Sequence, residues 1–373
     1  MTALRAWAAS RALVLVAGLV MSLVFGLPER GVDAAVPDAL ALLGGWDTTW
    51  YLDIARHGYE HDLGQVGLVF TNLAFFPLVP GIMAAFLTVG INPFVGALVV
   101  SNAAFLGALL ALEALTRARM GEAAARRAAW TMALLPPAAY CSLAYTEGLA
   151  IACAAGAALL ATRGRWALAG VVAGAGALAR PTGALAALLV GLLALQDASP
   201  GRLRRAALAV LPTVAAFAGF LAWMAVARGS WQLPFEAQRA WDRGQLGIGL
   251  VTAAPEELAA GWELVSSWHL TAAWHATARD VAFLALWGWL LARLWRAEGG
   301  LRSPWVAYSA AALAVPLSSG TVTSMARFGL MAFPLVWPLA DWAAASPRRT
   351  RWAVAAAVAL TLLLVAQLTQ RSP

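Results

Sequence analysis

Apolar stretches recur along almost the whole chain and are separated by short loops that carry arginine. A membrane-spanning helix needs about 20 apolar residues, so this pattern predicts an all-α integral membrane protein in which residues 1–373 form one polytopic domain. Several stretches are short, but helices rich in glycine and alanine can pack closely inside a bundle of about eleven transmembrane helices. The predicted spans are residues 12–27, 93–116, 127–141, 146–162, 166–179, 183–196, 205–227, 273–295, 303–317, 328–344 and 351–369.

Arginines in the loops predict the orientation of the bundle, because cytoplasmic loops of membrane proteins are enriched in basic residues. Five clusters can all be cytoplasmic if the N-terminus is cytoplasmic, the first span is not cleaved, and residues 74–90 do not cross the membrane. That last segment begins with aromatic residues and prolines, which favours an interfacial helix; a plain transmembrane helix is the alternative. The clusters are Arg117, Arg119, Arg126 and Arg127; Arg163 and Arg165; Arg202, Arg204 and Arg205; Arg293, Arg296 and Arg302; and Arg348, Arg349 and Arg351.

This orientation places two long loops outside the cytoplasm. Residues 28–92 form the first extracytoplasmic loop, and residues 228–272 form a second one that could cover a site as a lid or float its tryptophans at the interface. The turns that carry Glu147 and Arg180 and the loop that ends at Arg327 fall on the same side. Most of the unusual polar residues should therefore converge on one face of a multi-pass protein of the plasma membrane.

Composition excludes a soluble protein, since 61% of the 373 residues are hydrophobic and 12% are charged, whereas soluble domains carry about 25% charged residues. The net charge of +7 comes from arginines divided among many loops, so no nucleic-acid partner is expected. Cys141 and Cys153 have no CxxC spacing and no cluster of histidines beside them. We therefore expect neither a metal site nor a cofactor, and we expect membrane lipids as the surroundings.

The clearest candidate chemistry lies in residues 44–60, just beyond the first predicted span. Asp47 stands there among aromatic residues that include Trp46, Tyr51 and Tyr59. A carboxylate beside a low-dielectric surface can act as a general base for an acceptor hydroxyl, and aromatic rings offer faces on which sugars can stack. The alternative is an aromatic belt at the membrane interface in which Asp47 only caps a helix.

A set of short motifs runs along most of the chain. They are Trp46-Asp47, Trp50-Tyr51-Leu52, Ile54-Ala55, Gly58-Tyr59 and Ala74-Phe75-Phe76-Pro77-Leu78-Val79-Pro80, followed by Tyr145-Thr146-Glu147-Gly148-Leu149, Ala179-Arg180-Pro181-Thr182-Gly183, Pro234-Phe235 with Gln238 and Trp241, and Arg327-Phe328 with Phe333-Pro334. Together and in this order they resemble the PIG-V group of mannosyltransferases, which has bacterial members within the GT-C superfamily. Gly148 departs from the serine that is usual in that family.

The resemblance implies a GT-C-type bundle with juxtamembrane helices in the first extracytoplasmic loop. It also implies an inverting glycosyltransferase that moves a sugar, with mannose as the expectation, from a polyprenyl phosphate donor to a hydroxyl of a glycolipid, glycan or protein acceptor on the extracytoplasmic face. Asp47 matches the acidic residue of the superfamily and is the catalytic candidate. The substrate-binding candidates are Arg327, Arg180, Glu147, Trp46, Tyr51, His57, Tyr59, Tyr145 and Gln238.

Several of these candidates have structural alternatives. Arg327, and after it Arg180, suits the donor phosphate because a guanidinium stays charged and can bind two phosphate oxygens. Arg180 could instead snorkel toward lipid headgroups, Glu147 could orient a helix, and His57 fits a solvated polar loop. A lipid or small-molecule transporter or flippase is the rival function, although the distinctive charges are predicted outside the membrane midplane. A catalytically silent scaffold is a third possibility.

Overall fold

The computed structural model describes residues 1–25, 38–41, 43–198, 200–243, 259–260, 262–263, 266 and 272–369. Within them the chain is helical and forms no strand, so the predicted all-α fold class is confirmed. Much of the predicted loop 228–272 and the first part of the loop 28–92 lie outside the described residues.

Helical structure overlaps every predicted span, but two of the spans are interrupted. The predicted span 127–141 is broken after Leu134, and the span 328–344 is divided between two helices that end at Gly329 and begin at Val336. The helices are α1 (Thr2–Phe25), α2 (Asp38–Ala41), α3 (Asp47–His57), α4 (Leu78–Thr88), α5 (Pro93–Met120), α6 (Glu122–Leu134), α7 (Glu147–Thr162), α8 (Trp166–Ala179), α9 (Ala186–Gln196), α10 (Arg202–Arg228), α11 (Leu233–Glu236), α12 (Ala272–Glu298), α13 (Pro304–Leu317), α14 (Met325–Gly329), α15 (Val336–Ala344) and α16 (Pro347–Thr369). By length and composition, four stretches of the described residues could each cross a membrane alone: Thr2–Val24, Pro93–Met120, Arg202–Arg228 and Pro347–Leu368. The short helix Pro136–Ser142 and α7, bent by 104°, would together form a fifth.

The first helix starts earlier than predicted, at Thr2 and not at residue 12. Arg11 does not mark the edge of the apolar region, because it is buried and its Nη2 donates a 3.0 Å hydrogen bond to the carbonyl oxygen of Ala138. Nearer the start of α1, the backbone N–H of Ala3 donates a 2.9 Å hydrogen bond to Glu113 Oε2, near the C-terminal end of α5. Tertiary contacts with distant residues therefore extend α1 toward its N-terminus.

Residues 74–90 do not form a long helix. They contain α4, whose 11 residues extend for about 16 Å, roughly half of the ~30 Å hydrocarbon core of a bilayer. Val79 and Met83 are buried against α3 and α5. This agrees with the prediction that the segment is not a full crossing, and it makes α3 and α4 a small helical layer beside the bundle.

Helices α8 and α10 approach each other closely. Thr213 Oγ1 on α10 donates a 3.2 Å hydrogen bond to the carbonyl oxygen of Gly170 on α8. A Cβ at residue 170 would lie 2.6 Å from the carbonyl oxygen of Leu208, so only glycine permits this separation. Small residues at helix interfaces favour such packing in membranes, where burial of apolar surface contributes little to helix association.

Helix α3 has one buried face, and that face positions the site. Thr48, Tyr51 and Leu52 are buried, which is the spacing of neighbours on one side of a helix. Thr48 Oγ1 is 3.5 Å from the carbonyl oxygen of Ala144 in the turn before α7. Docking of this face holds the first residue of α3, Asp47, at the end of the bundle.

Candidate active site

Four charged side chains form a continuous series of ion pairs at one end of the bundle. Arg327 Nη1 lies 2.6 Å from Asp47 Oδ2, and Arg327 Nε lies 3.4 Å from Glu147 Oε1. The same Glu147 oxygen accepts a 2.7 Å hydrogen bond from Nη1 of Arg180. The structure thus brings together Asp47, Glu147, Arg180 and Arg327, as predicted from the loops they occupy.

Exposure differs along this series. The side chain of Glu147 is 1% exposed and that of Arg180 is 10% exposed, whereas Arg327 is 15% and Asp47 is 25% exposed. A buried charge is costly unless it is paired, so Glu147 anchors the two arginines from inside the bundle. Asp47 is the most exposed of the four side chains.

Unusual backbone conformations surround the cluster. In the described part of the chain, three residues other than glycine have a positive φ angle. They are Trp46 (φ 52°), Asp242 (φ 58°) and Ser324 (φ 67°), which come directly before Asp47, directly before Arg243 and three residues before Arg327. Such conformations cost on the order of 1–3 kcal/mol each and are concentrated at functional sites, where the surrounding structure maintains them.

Arg243 joins the cluster from the second long loop, and sequence interpretation missed it. Its guanidinium carbon lies 4.7 Å from the centre of the Phe328 ring, which Arg180 and Arg327 approach at 4.8 and 5.2 Å. Its hydrogen bonds go to uncharged oxygens of residues 318–324, and no described carboxylate pairs with it. Burial, together with the charges of Arg327 and Arg180, lowers the pKa of Arg243 to about 10. The side chain is still a cation at neutral pH, and an added anion would relieve the repulsion.

Asp280 is a second residue that sequence interpretation passed over. Its two carboxylate oxygens accept 2.9 Å hydrogen bonds from the backbone N–H groups of Ser324 and Ala326. Arg279 Nη2 donates to it at 3.0 Å. Asp280 therefore orients the start of α14, the short helix that carries Arg327. The sequence signal was its place inside a predicted transmembrane helix, where a carboxylate is costly without partners.

Three aromatic candidates border the cluster. The guanidinium of Arg327 lies 5.5 Å from the Tyr145 ring and 5.8 Å from that of Tyr140, within cation–π range. Tyr51 is buried one turn after Asp47; burial, and secondly the Asp47 charge, raises its pKa, so its hydroxyl remains protonated. Trp46 is half-buried and packs against the hydrophobic cluster that includes Tyr140 and Tyr145. These rings form an apolar wall around the charged groups.

The other predicted substrate-binding residues stabilise the surrounding loops and do not join the cluster. His57 Nδ1 lies 2.9 Å from Asp53 Oδ1, the Tyr59 hydroxyl donates to the carbonyl oxygen of Phe75 at 2.9 Å, and Gln238 Nε2 donates to the carbonyl oxygen of Ala74 at 3.0 Å. Asp53 also accepts a 2.7 Å hydrogen bond from Asn72 Nδ2. Asp53 thus organises the first loop and is not a second carboxylate of the Asp47 cluster.

Gly148, where the PIG-V family usually has serine, has a steric explanation. A Cβ at this position would lie 2.6 Å from the carbonyl oxygen of Ser101 on α5. The hydroxyl of Ser101 in turn donates a 3.2 Å hydrogen bond to the carbonyl oxygen of Tyr145. Glycine therefore lets the start of α7 lie directly against α5, which places Glu147 inside the bundle.

The arrangement offers a carboxylate that can accept a proton beside guanidinium groups that can bind an anion. No group of three His, Cys, Asp or Glu side chains that could hold a metal occurs within the described ranges. The combination suits transfer of a group away from an anionic leaving group to a hydroxyl.

No protein-family model and no curated protein matches this sequence. Among solved structures, the fold is similar to that of ArnT from Cupriavidus metallidurans bound to undecaprenyl phosphate, with a TM-score of 0.53, 16% identity, and coverage of 93% of this chain and 61% of ArnT. The archaeal oligosaccharyltransferase AglB from Archaeoglobus fulgidus, in complex with an inhibitory peptide and a dolichol-phosphate, gives a TM-score of 0.45 and 13% identity, covering 96% of this chain and 55% of AglB. The chain spans about three fifths of the length of ArnT and shares its fold.

Proposed function

We propose that this chain is an inverting glycosyltransferase of the PIG-V type, which moves mannose from a polyprenyl phosphate donor to an acceptor hydroxyl on the extracytoplasmic face of the plasma membrane. The observation that carries the proposal is the 2.6 Å contact between Asp47 and Arg327. It sets a proton acceptor beside a cation that suits a leaving phosphate. The fold shared with ArnT, whose structure contains undecaprenyl phosphate, and the motifs that resemble the PIG-V group support it.

In the proposed reaction, an Asp47 oxygen accepts the proton of the acceptor hydroxyl while the acceptor oxygen attacks the anomeric carbon of the sugar. The bond from that carbon to the phosphate oxygen breaks on the opposite face, so one displacement inverts the anomeric centre. The phosphate changes from a diester with one negative charge to a monoester that carries up to two. Positive charge placed where this negative charge develops lowers the barrier more than protonation of the leaving group would.

Arg327 and Arg243 are the groups that would hold the phosphate. Arg327 is paired with Asp47, and a bound phosphate would compete for the guanidinium and free the carboxylate to act as a base. Arg243 has no described carboxylate partner and so supplies positive charge that the cluster does not already neutralise. Arg180 acts indirectly, because it pairs with Glu147, which in turn pairs with Arg327.

The test uses the purified full-length protein in proteoliposomes with radiolabelled polyprenyl phosphate mannose. Transfer of label to an added acceptor, or slow release of free mannose, with both lost in the Asp47→Asn variant, supports the proposal. Movement of intact labelled donor between leaflets, unchanged in that variant, would support the flippase instead. Donors carrying other hexoses or pentoses, offered in competition, decide the sugar.

A further inference from the structure

A cavity of about 380 Å³ lies at the opposite end of the molecule from the Asp47 cluster. It is formed where the last turns of α5 and α12 meet α15. Along α12, Arg293 comes 13 residues after Asp280, which is about 20 Å of helix. This is the end that carries the arginine clusters of the loops, so the cavity has no part in the proposed transfer reaction.

The charges around the cavity do not balance. Its two carboxylates are already paired, Glu298 with Arg119 at 2.8 Å and Asp341 with Arg127 at 3.5 Å. The cavity is also lined by Arg293 and Arg296, and no described carboxylate lies within ion-pair distance of either. Four arginines against two carboxylates leave a surplus of two positive charges.

One arginine of the lining carries an unused hydrogen-bond donor. The Nε atom of Arg293 is buried and has no hydrogen-bond partner among the described residues. The guanidinium of Arg293 lies over the ring of Trp289, 5.2 Å from its centre, which fixes the orientation of its remaining donors. Because Arg293 has no carboxylate partner among the described residues, an anion in the cavity would accept hydrogen bonds from its guanidinium.

The rest of the lining is apolar. Met120, Leu294, Trp337 and Pro338 form its apolar wall. A small inorganic anion uses only the charged wall, whereas a phospholipid phosphate with its glycerol and the first acyl carbons would use both. Basic pockets between membrane helices at the arginine-rich side bind the headgroups of anionic lipids for this reason.

We propose that this cavity is a binding site for a phosphate group, and that its occupant is the headgroup of an anionic phospholipid. Arg293 and Arg296 bind the phosphate oxygens, and the apolar wall receives the glycerol backbone. The site does not depend on the proposed glycosyl transfer, and it is separated from that reaction by most of the thickness of the bundle.

The test uses native mass spectrometry of the full-length protein released from nanodiscs that contain phosphatidylcholine with a minor fraction of phosphatidylglycerol. One phosphatidylglycerol should remain bound at collision energies that remove phosphatidylcholine. The Arg293→Gln/Arg296→Gln variant should bind it about ten- to a hundredfold more weakly, since each arginine near a membrane surface contributes about 1 kcal/mol or more. The Arg202→Gln/Arg204→Gln variant removes the same charge from another loop at this end and should retain the lipid.

A second arm separates the two sources of phosphate. If inorganic phosphate, added in detergent, stabilises the protein against heating to the same degree as phosphatidylglycerol and loses this effect in the Arg293/Arg296 variant, the site stands and its occupant is a free anion. Met120→Trp fills the cavity without changing charge and should also displace the lipid, which covers the case in which the double variant does not fold. Equal lipid retention by wild type, the double variant and Met120→Trp would overturn the proposal.

Discussion

The guanidinium of Arg327 lies 2.6 Å from the carboxylate of Asp47, although 280 positions separate the two residues along the chain. One contributes the first residue of α3 and the other lies in the short helix α14. The ion pair joins two segments that are far apart in the sequence and holds both side chains in place. Because a phosphate would compete with Asp47 for the same guanidinium, the pair would couple donor binding to release of the proposed base.

Replacing Asp47 with Asn should abolish transfer while the protein still folds. The amide can still accept a hydrogen bond from Arg327 but cannot accept a proton, and a general base contributes about 10²- to 10⁴-fold in rate. Initial rates with saturating donor measure the effect. Asp53→Asn on the same helix is the matched control, since Asp53 serves the first loop, and it should keep most of the activity. Near-normal turnover in Asp47→Asn would refute its assignment as the base.

Replacing Arg243 with Gln should raise the KM for the donor roughly ten- to a hundredfold. The reason is that a hydrogen bond to a charged group contributes about 1.5–3 kcal/mol, which corresponds to a change in affinity of that size. The thermal unfolding temperature should change little, because no described carboxylate loses a partner. Arg239→Gln, an exposed arginine one turn earlier, controls for loss of charge on the loop. A donor KM equal to that of wild type would remove Arg243 from the phosphate site.

Glu147 and Arg180 should behave as a coupled buried pair. Glu147→Ala or Arg180→Ala alone leaves a buried charge without its partner, and such changes destabilise proteins by about 3–5 kcal/mol. The double variant should be less destabilised than the sum of the two single changes, by roughly 0.5–3 kcal/mol. Thermal unfolding in detergent measures the cycle. Strict additivity would show that the 2.7 Å contact contributes no coupling energy.

Asp280→Asn should weaken donor binding even though Asp280 does not face the substrate. Its carboxylate accepts the backbone N–H groups of Ser324 and Ala326, and an amide offers only one acceptor oxygen, so α14 and Arg327 should shift. We expect a higher KM for the donor with a smaller change in kcat. Asp280→Glu, which keeps both oxygens, should recover part of the loss. A fall in stability with unchanged kinetics would reduce Asp280 to a structural role.

Gly148→Ser should destabilise this protein although serine is usual at the position in the PIG-V family. The new Cβ would meet the Ser101 carbonyl oxygen at 2.6 Å, and overpacking of this kind costs about 1–3 kcal/mol. Gly156→Ser on the same helix is the matched control, because the nearest atom to a Cβ there lies at 3.8 Å. Equal unfolding temperatures for the two variants would contradict the steric explanation.

Sequence pattern determined much of the fold because the relevant signals are local. Helical structure overlaps each apolar stretch, and residues 74–90, which the arginine clusters predict not to cross the membrane fully, contain a helix of only 11 residues. The predicted start of the first helix was wrong because Arg11, which looks like a boundary in the sequence, is buried and contacts Ala138. No periodicity within residues 1–25 contains that information.

By itself, the sequence determined which loops carry the charged residues and therefore that Asp47, Glu147, Arg180 and Arg327 face one end of the bundle. Only the tertiary structure decided how they pair, that Arg243 and Asp280 join them, and that His57, Tyr59 and Gln238 do not. The reason is physical. Helix formation and orientation depend on neighbouring residues and on the membrane, whereas hydrogen bonds between loops depend on distances set by the packing of the entire bundle.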